Sequence, residues 1–584
     1  MDLYLPIQFK MDEMALQEEI AKRVELWKSD AFDQESHEAI SILEKQPDEL
    51  AEAFYKDLEF GTGGLRGLMG VGPNRMNRYT VGAATQGLAN YILERASSPS
   101  VAIAYDSRNQ SDFFAAVAAD VLASNGITVY LFDELRPTPL LSFTVRELNC
   151  IGGIVITASH NPKEYNGYKV YWEDGGQLVP PHDKGIITEV RKVDSPVKVK
   201  NGLNSELVKA VPAKVEQAYY AMVEGLLKLP KDHVGKKELK ILFTSLHGTG
   251  ITMIPKALEN AGFSNVHILA SQASPDGNFP TVKSPNPEER SAMTLAMEEA
   301  DKIQADIILG TDPDTDRVGM GVRNVKGEME LLNGNQAAAL LIHYLLAVMR
   351  ANGESFKGRF IAKTIVTSEL LKEIADKEGV NCYDTLTGFK YIADLIRNLE
   401  GKERFIAGGE ESYGYLIGDE VRDKDAVLST VMLCEMAAWA RGNSKSVREL
   451  LFQIYKEVGM YRESLISITK KGMRGAKEIQ ELMNGYRTSP PSEIAGSKVI
   501  RVADYLKSTD KDLKTGASVN IDLPSSNVIQ LWLADGTKIT ARPSGTEPKI
   551  KYYVSVKAKA EADLESAWNT VGNRIAEIEK DLGL

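Results

Sequence analysis

The chain has 584 residues, 43% of them hydrophobic and 26% charged, and a formal net charge of −12. That length suits about four ordinary domains, and both fractions are those of packed globular proteins. The acidic balance argues against a nucleic-acid or anionic-membrane surface, where a basic excess is expected, but leaves room for a small anionic ligand held by local cations. Cys150, Cys382 and Cys434 are odd in number and far apart. They offer no disulfide framework and no close-spaced zinc motif, and fit a reducing, cytoplasmic setting. Met1-Asp2-Leu3-Tyr4-Leu5-Pro6 shows no basic region followed by an apolar core, so no secretory signal is expected.

Residues 8–58 are acidic and rich in Ala, Glu, Leu and Lys, and read as an N-terminal helical extension. Phe60-Gly61-Thr62-Gly63-Gly64-Leu65-Arg66-Gly67 follows. This Gly-rich loop lacks the Gly-Lys-Ser/Thr ending of a P-loop, yet Arg66 is suited to a phosphate. Three βαβ units come next. Val101–Tyr105, Ser111–Asn125 and Ile127–Phe132 read as strand, helix, strand. Leu239–Phe243, Ile251–Ala261 and Val266–Leu269 repeat that order, as do Arg359–Ile365, Ser368–Lys377 and Val380–Tyr383. Gly126, Gly262 and Gly379 stand at the helix C-caps. Right-handed crossovers place each strand pair in a parallel, mostly buried sheet. Ala337–Met349 is the longest apolar stretch; it is too short to span a bilayer and reads as a core helix.

Each unit is later followed by an apolar strand and a polar loop, where open α/β sheets bind ligands. The first, after Ile154-Val155-Ile156, is Thr157-Ala158-Ser159-His160-Asn161-Pro162: a nucleophilic hydroxyl among hydrogen-bonding groups, or else a polar turn. Asn166-Gly167-Tyr168-Lys169 lies just beyond, so that Lys169 either returns to that loop or lies on the surface of a hairpin. The second, Gly310-Thr311-Asp312-Pro313-Asp314-Thr315-Asp316-Arg317, sets three carboxylates at alternate positions. Three such charges repel unless a cation sits among them, and all-oxygen ligation suits Mg²⁺. An EF-hand is rejected, because its positions six and twelve are Arg317 and Arg323 here. Arg317 beside the cluster is suited to orienting a phosphate or carboxylate. The third, Gly408-Gly409-Glu410-Glu411-Ser412-Tyr413-Gly414, offers carboxylates for the paired hydrogen bonds of vicinal diols. His247 reads as a structural loop residue.

The last segment differs. Val528–Leu533, Lys538–Ala541 and Ile550–Val556 read as strands and Ala560 to about Lys580 as a helix, a small α+β domain. Its loop Arg542-Pro543-Ser544-Gly545-Thr546-Glu547-Pro548 combines a guanidinium fork, hydroxyls and accessible backbone N–H groups, either a phosphate cradle or a plain turn.

Taken together, these five loops resemble those of the α-D-phosphohexomutase family, which includes phosphoglucomutases, phosphomannomutases and phosphopentomutase relatives. The match spans roughly residues 55–560. The resemblance implies an α/β protein: three similar mixed α/β domains around a shared cleft plus a C-terminal α+β domain, with boundaries at 1–204, 205–326, 327–458 and 459–584. It also implies a cytoplasmic, Mg²⁺-dependent phosphosugar mutase, monomeric or homodimeric, with a small phosphosugar as its partner and no nucleic acid or membrane. Glucose 1,6-bisphosphate would be its activator and intermediate. Ser159 would carry the phosphate, and with Asp312, Asp314 and Asp316 bind Mg²⁺. Arg66, His160 and Lys169 would move protons or stabilise charge. Arg317, Thr387, Gly388, Lys390, Glu410 and Ser412 would contact the substrate, and Arg542, Ser544, Gly545 and Thr546 would grip the phosphate that is not reacting. One loop serving two sugar orientations implies a mobile last domain. Tyr413-Gly414 stands where the dual glucose/mannose branch has Gly-His, and Thr385-Leu386-Thr387-Gly388-Phe389-Lys390 looks like the longer branch of glucose- and pentose-phosphate mutases. Glucose phosphate is therefore the expected substrate, with pentose and mannose phosphates as alternatives. A non-catalytic phosphosugar-binding protein is the contrasting class.

Overall fold

The computed structural model describes residues 5–61, 63–202, 204–470, 472–544, 549–559 and 563–584. It forms two compact units. The first comprises Met1–Asp232, Lys236–Gly321 and Gly418–Val431; the second comprises His233–Gly235, Val322–Ile417 and Met432–Leu584.

The first unit opens with the helices Leu5–Trp27, Gln34–Leu43 and Pro47–Phe54. Asp33 caps the second by accepting from Ser36 N at 2.9 Å, and Pro47 begins the third, where its missing N–H costs nothing. Trp27 stacks on Phe32 with ring centroids 4.4 Å apart. With Ile40 and Phe54 they form a separate apolar cluster against Tyr79.

Among the described residues, the first sheet has six strands. Its order is Gly64–Leu68, Tyr165–Trp172, Gly152–Ile156, Ser100–Tyr105, Thr128–Leu131 and Val208–Ala210. Ser100–Tyr105 pairs in parallel with Thr128–Leu131 and with Gly152–Ile156, and Tyr165–Trp172 is antiparallel to Gly152–Ile156. The second sheet repeats the motif: Ile241–Thr244 is parallel to both Val266–Ile268 and Ile307–Thr311. Gly152–Ile156 and Ile307–Thr311 are buried at every position, as central strands covered on both faces must be. Polarity returns only where each chain leaves its sheet, so both polar loops begin at the strands' C-terminal ends. Gly126 (φ 81°), Gly262 (93°) and Gly379 (71°) take the left-handed conformation expected of helix C-terminal glycines.

In the second unit, Arg359–Thr364 is parallel to Asn381–Thr385 and Arg404–Gly409, and Tyr415–Ile417 is antiparallel at the edge. The apolar stretch Ala337–Met349 lies inside the buried helix Gly334–Ala351, whose start is closed by an Asn333–Gln336 capping box. No described helix is long and apolar enough to cross a membrane. The C-terminal sheet is antiparallel. It contains strands beyond the three expected from the sequence, chiefly Met460–Thr469 and Ser497–Asp504, with the helix Gly472–Thr488 between them in the chain.

This sheet is anchored to the preceding α/β layer. Ile365, Val366 and Leu386 share an apolar cluster with Ala503, Tyr505, Val528 and Tyr553. Lys538, buried, sends its Nζ to Glu369 Oε1 (2.6 Å) and to the carbonyls of Ile365 (3.1 Å) and Thr367 (3.2 Å).

Candidate active site

Ser159 sits just beyond the C-terminal end of Gly152–Ile156, buried and left-handed at φ 53°. Its N–H donates to Thr157 Oγ1 at 2.8 Å. Its Oγ donates to Asp312 Oδ2 at 2.8 Å and lies 3.2 Å from His160 Nδ1. The serine loop and the triple-aspartate loop, 153 residues apart in sequence, thus meet within the first unit.

The aspartate loop is rigidly tied. Asp312 Oδ1 accepts from the N–H groups of Asp316 (3.2 Å) and Arg317 (3.1 Å). Thr249 Oγ1 donates to Pro313 O at 2.9 Å. Gly248 allows this approach, since a Cβ there would stand 2.4 Å from Pro313 Cα. Asp312, Asp314 and Asp316, all buried, each offer a carboxylate oxygen within 4.8 Å of the others. Asp314 Oδ2 accepts from Thr138 Oγ1 (3.1 Å) and Lys169 Nζ (2.7 Å); Asp316 Oδ2 accepts from Lys169 Nζ at 3.0 Å and faces Lys424 Nζ at 3.1 Å. Asp314 Oδ1 and Asp316 Oδ1 are buried and accept no hydrogen bond. Two unbonded carboxylate oxygens beside a third carboxylate are a costly arrangement unless a hard cation takes them. The donor set therefore fits Mg²⁺, which prefers oxygen ligands.

Charges follow from this geometry. Burial, then Asp314 and Asp316, push the Asp312 carboxyl well above the usual range. Against burial, Lys169, Lys424 and Arg317 hold Asp316 well below it. Burial disfavours the Lys169 ammonium, but Asp314 and Asp316 outweigh it and raise its pKa. Lys169 is therefore a buried cation, not a surface lysine. Burial, then repulsion from Arg317 and Arg66, holds His160 well below its ordinary value, so the imidazole is neutral near pH 7. Arg66, on Gly64–Leu68, is paired in register with Gly167. Arg317 donates to Glu288 Oε1 at 2.7 Å.

The segment Gly418–Val431 packs into this first unit and brings Lys424 to Asp316. Asp423 accepts from Tyr171 OH (2.7 Å) and Gln177 Nε2 (2.8 Å), which holds that segment in place. Lys424 lies beyond the three expected polar loops, after the short strand Tyr415–Ile417 and Gly418; the run Arg422-Asp423-Lys424-Asp425 of alternating charge, buried here, is the signal the sequence offers.

The second unit carries the other expected contacts. Glu410 Oε1 accepts from Gly388 N at 3.0 Å, joining the Gly408–Gly414 loop to the Thr385–Lys390 loop. Glu411 Oε2 is held by Thr364 Oγ1 (3.4 Å) and Thr367 Oγ1 (3.2 Å). Thr387 and Ser412 are half-buried, and Lys390 Nζ lies 5.2 Å from the Tyr391 ring centre. Burial and then Glu411 push the Tyr553 phenol up to about 12, against Arg542. Arg542 and the glutamate loop therefore converge on one tyrosine. Ser544 is exposed. Gly545 and Thr546 lie outside the described residues.

Family profiles described as phosphoglucomutase/phosphomannomutase, alpha/beta/alpha domains I, II and III, match residues 57–197, 217–327 and 333–458. A phosphoglucomutase of Staphylococcus aureus (strain MSSA476) is 39% identical over 534 residues, 91% of this chain and 95% of its own. That of strain MRSA252 is 40% identical over 520 residues, 88% and 93% of the two chains. Two solved structures share the fold. A putative phosphomannomutase from Thermus thermophilus has a TM-score of 0.66 at 22% identity, over 88% of this chain and 99% of its own. The Paramecium phosphoglucomutase pp63/parafusin has 0.66 at 18%, over 90% and 95%. The chain belongs to the phosphoglucomutase/phosphomannomutase family, the α-D-phosphohexomutases.

Proposed function

We propose that the protein is a phosphosugar mutase that interconverts glucose 1-phosphate and glucose 6-phosphate. The observation that carries the reading is the Ser159 hydroxyl 2.8 Å from Asp312, at the edge of a buried carboxylate triad, in a chain 39% identical to a phosphoglucomutase over nearly its whole length. Ser159, phosphorylated in the working enzyme, gives its phosphoryl group to O6 of glucose 1-phosphate. The P–Oγ bond breaks, a P–O6 bond forms, and the proton of the 6-hydroxyl is taken up by the protein. The glucose 1,6-bisphosphate so formed reverses its orientation and returns the C1 phosphoryl group to Ser159: the P–O1 bond breaks, the P–Oγ bond forms again, and the protein passes the seryl proton to O1, which releases glucose 6-phosphate.

Asp312, Asp314, Asp316 and an oxygen of the phosphoserine would hold Mg²⁺, which supplies neutralisation of phosphoryl charge. His160, neutral and 3.2 Å from Oγ, is the group placed to exchange a proton with the seryl oxygen. Lys169 and Arg66 remain cationic and offset phosphate charge, which phosphoryl transfer depends on more than on covalent chemistry. Arg317 serves the same end. In the second unit, Glu410 and Ser412 would bind sugar hydroxyls. Thr387, Gly388 and Lys390, with Arg542, Ser544, Gly545 and Thr546, would hold the remaining phosphate.

The test mixes the protein, Mg²⁺, glucose 1-phosphate and a trace of glucose 1,6-bisphosphate, beside ribose 1-phosphate and mannose 1-phosphate, with Ser159→Ala as control. Glucose 6-phosphate formation that the alanine variant loses is the expected result. Full turnover by that variant would overturn the role of Ser159, and a higher kcat/KM for ribose or mannose phosphate would overturn the choice of sugar.

A further inference from the structure

Ser159 is held in a conformation that a serine does not choose. A left-handed backbone is disfavoured for any residue with a Cβ, so something must oppose relaxation to negative φ. Arg108, on the turn between Ser100–Tyr105 and Ser111–Ser124, supplies the opposing contacts. Its side chain is fully buried. Nη2 donates to the carbonyls of Ser159 (2.5 Å) and Asn161. Nη1 donates to those of Pro162 (2.9 Å) and Tyr165 (3.1 Å). One guanidinium therefore fills the inside of the serine loop and binds four of its carbonyls, Ser159's own among them.

The arginine is itself fixed from two sides. Asp106 Oδ2 stands 3.3 Å from Nε and accepts from Thr157 Oγ1 at 2.6 Å, while Asp106 Oδ1 accepts from Arg108 N (2.9 Å) and Ser111 Oγ (2.8 Å). Phe279 lies against the guanidinium, 5.1 Å from its ring centre. From that same stretch of chain, Ser284 Oγ donates to His160 O at 3.0 Å. None of these contacts is made to the seryl oxygen.

We infer that Arg108 is a positioning residue: it holds Ser159 left-handed by binding that residue's carbonyl and three more further along the loop, and so keeps Oγ against Asp312. Lysine cannot replace it, since a single ammonium lacks the planar fork that reaches four carbonyls at once. This rests on the reading of Ser159 as phosphoryl carrier.

The test uses the full chain as Arg108→Lys and as the double variant Asp106→Asn/Arg108→Met, which leaves no unpaired buried charge. Two quantities are read: steady-state kcat and KM for glucose 1-phosphate, and the single-turnover rate at which glucose 1,6-bisphosphate phosphorylates Ser159, followed by intact mass. The double variant should lose ~100-fold in kcat and in transfer rate, the scale of a displaced reacting group, with KM little changed; Arg108→Lys should fall between it and the wild type. An arginine needed only for folding would lower yield or melting temperature while the folded protein still took up phosphate at the wild-type rate, and that result would overturn the inference. Should the double variant not fold, Arg108→Lys makes the same comparison. A wild type that never takes phosphate would refute the mutase reading instead, a result distinct from variants that match a phosphorylated wild type.

Discussion

Glu369→Gln should destabilise the second unit more than Lys538→Met, although both remove one end of the same contact. Glu369 Oε1 accepts from two ammonium groups, Lys538 at 2.6 Å and Lys363 at 2.9 Å, and Lys363 also meets Asp384 at 2.7 Å. Burial opposes the Glu369 charge, yet the two lysines hold its carboxyl down to about 2 from 4.5. That displacement is worth about 3 kcal/mol at neutral pH. Its loss leaves Lys538 a buried cation with only carbonyl acceptors and Lys363 with Asp384 alone, so the cost should be about 3–5 kcal/mol. Lys538 differs. Burial and then Lys363 lower its pKa in spite of Glu369, and once it is gone Glu369 still has Lys363. Two carbonyls lose a donor, a cost of about 1–2 kcal/mol. Hydrogen exchange read by mass spectrometry on Arg359–Thr364 and Lys538–Pro543 measures both. A lysine variant as unstable as the glutamine variant would refute the electrostatic reasoning. The pH sign is fixed as well: the Glu369 contribution is present above pH 4.5 and lost as pH falls toward 2, so the gap between wild type and Glu369→Gln should close over that window.

Asp425 should behave in the opposite sense. Burial pushes its carboxyl up to about 6 from 3.8, although Leu428 N and Tyr219 OH both donate to it. Its stabilising share is complete below pH 3.8 and disappears as pH rises through about 6; Asp425→Asn should therefore gain about 3 kcal/mol on the wild type between those limits, read from unfolding midpoints against pH. A difference independent of pH would contradict this. Mg²⁺ at about a hundredfold its Kd should stabilise the wild type by about 3 kcal/mol in the same assay, and both chelation and Asp314→Asn should abolish that increment.

Legibility in the sequence followed locality. Ile154–Ile156 and Ile307–Leu309 could be read because a buried central strand is an unbroken apolar run; the strands themselves begin at Gly152 and end at Thr311, two residues beyond each run. The helix ends at Gly126, Gly262 and Gly379 could be read because only glycine takes a strongly positive φ cheaply. The Met460–Thr469 strand could not. Beyond its first residues it is only half-buried, alternating with exposed positions, and its register comes from ten paired residues on Lys549–Ala558. Thr509–Asp512 is wholly polar and forms only by pairing with its neighbours, Ser497–Asp504 and Ser518–Asn520. At the site, Ser159 and the three aspartates announced themselves by composition. Arg108 and Lys424 did not, because their meaning lies in partners 51 to 57 and 108 residues away. The last domain, expected to be mobile, is joined to its neighbouring layer by Tyr505, Tyr553 and Lys538; hydrogen exchange on Lys538–Pro543 with and without glucose 1-phosphate tests that mobility, and equal protection in the two states would contradict it.

The most direct measurement is peptide mass analysis of the protein after incubation with glucose 1,6-bisphosphate and Mg²⁺, then chased with glucose 1-phosphate. The account predicts one phosphate on Ser159, gained from the bisphosphate and lost to the monophosphate at a rate no slower than kcat. A Ser159 peptide that stays unphosphorylated while glucose 6-phosphate accumulates would contradict it.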